Sequence, residues 1–576
     1  MKFLAKYLRP YYKRMLLGLS VKFTGTIMDL LLPWILAYII DTVVPLGEVT
    51  RIIFWGVVML IISAIGLVGN IVANRIASGV ARDTSESIRA ELFTKTMYLS
   101  SRQADEYSVP SLESRLTSDT YNVHHLVGAM QRMGVRAPIL LIGGIAVTLM
   151  LEPVLTLALL GTLPFITLIV WGISKKGIPL YTALQKSVDK MVRVVRENAQ
   201  GIRVIKALSK TDYESNRFVS VNREVVSREK KAGVTMAATN PLMNAFLHIG
   251  LTAVVLLGAY RVNAGVSEAG KIIAFITYFT LISNAMLTIT RIFVMYSRGI
   301  ASAERIKEIL ETPNDLEVSS PEEACIPEEK EEAIRFKQVS FSYNKKKDNL
   351  AKISFGISKG STLGIIGSTG SGKSTVVKLL MRFYDPDSGV IKINGKDIRC
   401  IERETLHSKF GAVFQNDFLY ADTIEENICL GRCLTRSQIE KAAEIAQAKE
   451  FIEALPDKYE HRLTVKGTNL SGGQKQRLLI ARAVAASPEI LILDDSSSAL
   501  DYKTDAKLRR AVKENLDKNT TKVVVAQRIS SIMNADMIIV LEQGEIIGCG
   551  THKQLLESCG VYREISDSQL GGALVE

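Results

Sequence analysis

The chain has 576 residues, 47% hydrophobic and 23% charged, with a formal net charge of +12 and only 15 prolines. That length allows roughly two to four domains, and the near-average composition excludes a disordered, collagen-like or disulfide-scaffold protein. The average conceals two halves: to about residue 310 long apolar runs alternate with basic stretches, and from about residue 334 the chain reads as a soluble α/β domain.

Met1 to Tyr12 mixes Phe3, Leu4, Tyr7, Leu8, Tyr11 and Tyr12 with lysines, which predicts an interfacial helix leading into a first membrane span rather than a cleaved signal. Crossing a hydrocarbon core takes about 20 mostly apolar residues. Six windows qualify: Met15 to Val43, Ile52 to Val80, Gly134 to Met150, Val154 to Ile173, Thr239 to Tyr260 and Ile272 to Met295. An even number keeps both ends on one side. Lys2, Lys6, Arg9, Lys13 and Arg14 precede the first span, and the long loops after spans two and four are basic, so these segments and both termini are expected to be cytoplasmic. Basic residues beside anionic headgroups account for much of the positive charge, and no nucleic-acid partner is needed.

Both long loops are rich in helix formers and poor in Pro and Gly, so spans two to five are expected to continue as helices beyond the bilayer, with a turn at each tip. Around the first tip lies Ser111 to Asp119, and the second loop contains Arg196 to Lys206. Taken alone, both read as solvated amphipathic helix.

Polar residues inside spans are costly, so their placement informs. Asn240, Asn244 and His248 recur at helical spacing in span five. Thr277, Asn284, Thr288 and Arg291 fall on one broad face of span six, and Lys22, Thr26 and Asp29 do the same in span one. Such stripes line a substrate path or hold the bundle together by interhelical hydrogen bonds; the path is assigned to spans five and six in preference to span one.

Thr312 to Ala333 holds Pro313, Pro321 and Pro327 with eight acidic side chains and no apolar period, a linker. Domain bounds follow: an all-α membrane domain of six helices over 1–311, an acidic linker over 312–333, and an α/β P-loop NTPase domain over 334–576. All six cysteines, Cys325, Cys400, Cys429, Cys433, Cys549 and Cys559, lie beyond the membrane half, the pattern of reduced cytosolic thiols. Cys429 and Cys433 have no second pair at ligand spacing, which argues against a metal site built on them.

A short apolar strand, Thr362 to Ile366, runs into Gly367-Ser368-Thr369-Gly370-Ser371-Gly372-Lys373-Ser374, followed by Thr375 and a helical pattern from Val376. This is GxxxxGK[ST] between strand and helix. The glycines let backbone N–H groups curl around phosphates, Lys373 meets the β- and γ-phosphates of ATP, and the Ser374 hydroxyl ligates Mg²⁺. A second strand, Ile490 to Leu493, ends in Asp494, the carboxylate expected to hold the same Mg²⁺. A third motif, Leu470-Ser471-Gly472-Gly473-Gln474, opens another helix. One P-loop domain has no use for a second anion site, so this one is expected to close on ATP bound by another copy of the domain.

On these three motifs the chain resembles a half-transporter of the ABC exporter family, with a six-span membrane domain ahead of its nucleotide-binding domain. The resemblance implies that Tyr343 stacks on adenine, that Gln415 senses Mg²⁺ and γ-phosphate, that Ser498-Ala499-Leu500-Asp501 is the D-loop, and that the two loop segments lie next to coupling helices. Where the family has a catalytic glutamate this chain has Asp495, one methylene short, so its carboxylate is drawn back from the water it must activate. Where the family has a switch histidine stands Gln527, an amide that cannot carry the imidazole's charge. Thr464-Val465-Lys466-Gly467, ahead of the signature, lacks the glutamate usual there.

Together these departures resemble the degenerate-site subunit of bacterial heterodimeric multidrug exporters. They imply a multi-pass protein of the cytoplasmic membrane that pairs with a second half-transporter and drives a hydrophobic or amphipathic substrate outward. Lipid or peptide export, and a nucleotide-gated regulatory subunit that pumps nothing, are the alternatives. The chain starts about a dozen residues before its first span, which argues against a processing peptide exporter.

Overall fold

The computed structural model describes residues 2–316, 318, 332–415, 417–496 and 500–570. Most of the expected linker, together with Ser498 and Ala499 of the expected D-loop, lies outside the described residues. The chain forms two compact units, Met1–Met97 with Pro110–Thr312, and Tyr98–Val109 with Pro313–Glu576.

The first unit is all helix. A short α1 (Lys2–Leu8) precedes α2 (Tyr12–Tyr38), which ends in a π turn over Ile39–Val43, and α3 (Val49–Tyr98) follows. With 50 residues and no proline, α3 is about 75 Å long, more than twice a hydrocarbon core. Its first half is apolar and its second half charged, so one helix crosses the membrane and continues beyond it. The chain turns through α4 (Ser101–Tyr107), which groups with the second unit, and rises again through α5 (Val109–Ser114), a π turn at Arg115–Asp119 and α6 (Thr120–Leu151). Next comes α7 (Pro153–Gln200), a second tip helix α8 (Ile202–Ala207), and α9 (Thr211–Ala237) leading into α10 (Thr239–Asn263). The unit closes with α11 (Ala269–Leu310). Among the described residues five helical stretches are long and apolar enough to cross a membrane, and the apolar stretch Pro153–Ile169 opens α7. Each of the six expected spans falls within these helices.

The Ser111–Asp119 run lies just past the first turn, at the start of the rising helix and next to the tip helix α4. A capping box at Ser100, with Gln103 as its third helical residue, starts α4, and Ser108 at φ +62 ends it, so the tip is Ser101–Tyr107. The second expected segment does contain its tip helix.

In the membrane core Leu30, Leu140, Leu155, Leu159, Phe275, Phe279 and Ile282 pack together, and the Tyr278 hydroxyl donates to the Leu30 carbonyl. Gly270 opens the last helix against the end of the first span. A Cβ there would lie 2.7 Å from the Ala37 carbonyl oxygen, and the Gly270 N–H donates to Asp41 Oδ1 at 2.5 Å. Farther along, Asp119 is 2% exposed and accepts from Ser302 Oγ at 2.8 Å and Arg305 Nε at 2.9 Å. Removing it strands a cation, although Arg305 is half-exposed and rehydrates in part. Asp119→Ala should therefore destabilise the unit by about 2–3 kcal/mol, below the cost of breaking a fully buried pair. Ser302→Ala should cost about 1 kcal/mol. Thermal unfolding of the detergent-purified protein measures both.

The second unit holds two sheets. The smaller has the order β2-β1-β4-β5, from β1 (Glu332–Phe341), β2 (Leu350–Ser358), β4 (Ser388–Ile393) and β5 (Lys396–Asp397). The larger has the order β10-β9-β3-β8-β7-β6, from β3 (Thr362–Gly367), β6 (Phe410–Val413), β7 (Ile490–Asp494), β8 (Thr521–Val525), β9 (Met537–Glu542) and β10 (Glu545–Gly550), parallel except at β10. Nine helices complete the described part of the unit after α4: α12 (Lys373–Leu380), α13 (Arg403–Ser408), α14 (Ile424–Cys429), α15 (Arg436–Ile445), α16 (Lys449–Glu453), α17 (Gly472–Ala485), α18 (Tyr502–Asn515), α19 (His552–Ser558) and α20 (Gly560–Leu570). The α14–α17 group packs as its own core around Ile428, Ile439 and Ile480. Among the described residues Cys429, Cys433, Cys549 and Cys559 are free thiols.

Within this unit α4 docks on the core formed by the two sheets and their helices. Tyr384 Oη donates to Asp105 Oδ2 at 2.5 Å, Ser100 Oγ to Asp315 Oδ2 at 2.8 Å, and Gln103 Nε2 to the Pro313 carbonyl at 2.7 Å. Burial and the Asp105 carboxylate push the Tyr384 phenol well up, so it stays a neutral donor.

Candidate nucleotide site

Three loops after neighbouring parallel strands converge, at the carboxyl edge where open α/β sheets bind ligands. Ile365 of β3 pairs with Val525 of β8, and Val525 pairs in turn with Asp494 of β7, so the three strand ends are level. The Asp495 N–H donates to the Val525 carbonyl at 2.9 Å and the Ala526 N–H to the Ile365 carbonyl at 3.1 Å, which carries the ladder into the loops. Between them lies a cavity of about 240 Å³ whose walls include Thr369, Lys373, Ser374, Gln415, Asp495 and Gln527.

The P-loop curls because Gly370 (φ +84) and Gly372 (φ +102) take left-handed conformations. A side chain at Gly372 would also meet the Asn349 carbonyl oxygen at 2.9 Å. Lys373 Nζ donates to the Gly367 and Ser368 carbonyls at 2.8 and 2.7 Å. Burial pushes its pKa down, while Asp494 and Asp495 pull it back up. Gly370 and Thr375 also line the cavity, and among the described residues the buried Ser371 Oγ has no hydrogen-bond partner. A curled backbone, a cation and an orphaned hydroxyl fit a phosphate chain.

Asp494 is buried, which pushes its pKa up, and its Ser374 hydrogen bond opposes that shift. This carboxylate–hydroxyl pair has the hard oxygen donors that Mg²⁺ requires. When bound, Mg²⁺ neutralises charge on the phosphates.

Asp495 adopts φ +52, and its Oδ2 receives Gln527 Nε2 at 2.9 Å and, more loosely, Gln415 Nε2 at 3.4 Å. The two predicted departures from the family thus contact one another directly. Burial raises the Asp495 pKa, against the pull of Gln415, Lys373 and Arg528. Tyr343 is 39% exposed, packs edge-on against Phe341 and Tyr384, and has Lys378 Nζ 5.4 Å from its ring centre.

Leu470, Ser471, Gly472, Gly473 and Gln474 are absent from the walls of this cavity. Ser471 caps α17, its Oγ accepting from the Gln474 N–H at 3.3 Å while Gln474 Oε1 accepts from the Ser471 N–H at 2.9 Å. The helix start is exposed at Ser471 and Gly472. Leu500 is buried, and Asp501 caps α18 by accepting from the Thr504 N–H at 2.9 Å.

The family described as the ABC transporter transmembrane region matches residues 15–286, and the family described as ABC transporter matches residues 350–498. The uncharacterized ABC transporter ATP-binding protein YfiB of Bacillus subtilis (strain 168) is 34% identical over 567 residues, covering 98% of each chain. The chain belongs to the ABC transporter family. YknU, a second uncharacterized ABC transporter ATP-binding protein of the same organism, is 34% identical over 578 residues, 99% of this chain and 97% of its own. The solved structure of a bacterial Atm1-family ABC exporter with ATP bound shares the fold, with a TM-score of 0.83 at 23% identity over 97% of this chain and 99% of that one. This ABC transporter therefore carries membrane and ATP-binding domains in one polypeptide, a half-transporter with the exporter fold.

Elsewhere in the transporter, Asn244, His248, Asn284 and Arg291 are exposed on the first unit and Thr288 is half-buried, its hydroxyl donating to the Asn284 carbonyl at 2.8 Å. The side chain of Asn240 lies outside the described residues. Two participants carried no signal in the sequence. Gln569 on α20 donates to the Gln527 carbonyl and accepts from the Ile529 N–H, both at 2.8 Å, and so clamps the switch loop from a helix outside every motif. Asn349 lines the cavity from the loop before β2.

Proposed function

We propose that this chain is one half of a heterodimeric exporter in the cytoplasmic membrane. Its nucleotide-binding domain and both termini face the cytoplasm, as the Lys and Arg excess of the long loops supports. It binds Mg²⁺–ATP on its own P-loop, hydrolyses it weakly, and lends its signature motif to the partner's site, where turnover occurs. The cargo is a hydrophobic or amphipathic compound of the multidrug type.

One observation carries the reading. Asp495 holds the general-base position with a shortened carboxylate, and that carboxylate accepts from the Gln527 amide at 2.9 Å. An acceptor engaged by an amide is a poor base for water, and the amide supplies no titrating group in return. Ser471, in contrast, is exposed at an intact helix start, available to phosphates bound by a second domain. Gly370, Lys373, Ser374, Gln415 and Asp494 supply the binding half of the site, while Asp495 and Gln527 weaken its catalytic half.

The native mass of the complex, extracted gently from its host membrane, tests this. A particle with a second, distinct half-transporter is the expected result. A particle of two copies of this 63.5 kDa chain overturns the heterodimer and favours a regulatory assembly that pumps nothing.

A further inference from the structure

The first unit gathers charges from inside its membrane-spanning helices to their far boundary. At 1.5 Å per residue, Asp29 and Arg136 lie about 20 Å along their helices from the turns after Val43 and Leu151, and Lys22 about 30 Å. The cluster thus starts inside the hydrocarbon and ends at its far boundary.

Lys22 is 3% exposed and donates to Asn70 Oδ1 at 2.9 Å and Asn74 Oδ1 at 3.2 Å. Asp29 pairs with Arg136 at 3.1 Å and accepts from Asn70 Nδ2 at 3.4 Å, so Asn70 bridges it to Lys22. Arg132 lies across α3, donating to Ser78 Oγ at 3.4 Å and to its own Gly128 carbonyl at 3.2 Å. Beside these groups Ile71, Asn74, Arg75, Ser78, Gly79 and Arg82 line a cavity of about 510 Å³. Gly79 admits a further cation, since a Cβ there would sit 3.2 Å from an Arg14 guanidinium nitrogen. Asp83 neutralises Arg14 and Arg82. Among the described residues no carboxylate stands within ion-pair distance of Lys22, Arg75 or Arg132.

Cations that merely greet anionic lipid need only be exposed. Asp29, reached from Lys22 through Asn70, is shared with Arg136, so one carboxylate serves two cations while Arg75 and Arg132 meet none among the described residues; this surplus of positive charge calls for an anion. The neighbouring face of α3 is apolar and exposed, with Leu67 at 62% and Val68 at 58%.

We propose that this cavity receives the anionic headgroup of an acyl amphiphile entering from the membrane, with its chain along the apolar face of α3. Such an amphiphile is the cargo. The inference rests on the exporter reading and narrows its substrate to phosphate- or carboxylate-bearing amphiphiles. It moves the recognition element from the stripes of α10 and α11 to α2, α3 and α6.

The test uses the native complex in nanodiscs of neutral phosphatidylcholine, with a photoactivatable phosphatidic acid and the matched phosphatidylcholine as probes. Without nucleotide, the anionic probe should label α3 at least about ten-fold more than the neutral one. Arg75→Gln with Arg132→Gln should cut that labelling roughly 10- to 30-fold at limiting probe. Arg75→Gln alone, an exposed side chain with no hydrogen bond or ion pair among the described residues, should cut it about five-fold and Arg75→Lys should restore it, while Arg228→Gln on α9 should label like the parent. Trapping the complex with ATP and vanadate should remove the label. Equal labelling by both probes, an unaffected double variant, label that persists in the trapped state, or displacement by inorganic phosphate alone each overturns the proposal. ATP turnover in the same preparations is read separately: its absence sinks the exporter reading, whereas labelling without nucleotide still reports on the site.

Discussion

Ser471→Ala should lower ATP turnover of the native complex by about 100-fold, the cost of removing one donor that stabilises developing phosphate charge. Lys373→Ala should chiefly weaken nucleotide retention at this chain's own site, with turnover reduced by no more than a few-fold. The asymmetry follows from where each residue acts. Lys373 belongs to the site that contains Asp495 and Gln527, whereas Ser471 stands at the start of α17, away from the chain's own P-loop cavity. Ser471 also caps its helix, so alanine costs about 1 kcal/mol of local stability in addition. Ser471→Asp separates the two roles. Aspartate caps as well as serine but sets a negative charge against the γ-phosphate, so it should abolish turnover while α17 stays folded. Equal losses from Lys373→Ala and Ser471→Ala, measured as phosphate release by the purified complex, would mean two equivalent sites.

What the sequence made legible follows the range of the interactions involved. The P-loop, Asp494 and the signature are local devices whose glycines, cap and strand ends lie within a few residues of one another, and their strand-to-helix context is evident in the chain itself. The spans are legible for the same reason, since an apolar run of sufficient length needs no partner to identify it. Contacts made across the fold are not. The sequence puts Ser111–Asp119 around the first tip, but the exact turn is set a few residues earlier, by the Ser100 capping box and by Ser108 at φ +62. Gln569 reaches the switch loop from a helix of ordinary composition. The stripe Lys22, Thr26 and Asp29 looks like those of α10 and α11 in spacing. Lys22 is buried on Asn70 and Asn74, whereas Asn244 and His248 are exposed, and periodicity alone says nothing about what a face meets.

Asp495→Glu combined with Gln527→His should raise hydrolysis at this chain's own site by roughly 10- to 100-fold, within the range of general-base catalysis. The gain is read with the partner's site disabled, so that only this site contributes. Each change alone should give less. Glutamate restores reach but leaves the Gln527 amide free to hold the carboxylate, as it now holds Asp495 at 2.9 Å. Histidine removes that amide but leaves the base short. Backbone conformation limits the gain, because Asp495 sits at φ +52, where aspartate is tolerated better than glutamate. The switch position should also leave a mark in the pH profile. An imidazole titrates near pH 6.5 and an amide does not, so the double variant should acquire an inflection near that pH which Asp495→Glu alone lacks. A rise without that inflection would place the recovered activity on the carboxylate alone. No rise would mean that substitutions elsewhere disable the site, and the pairing of Asp495 with Gln527 would lose its explanatory role.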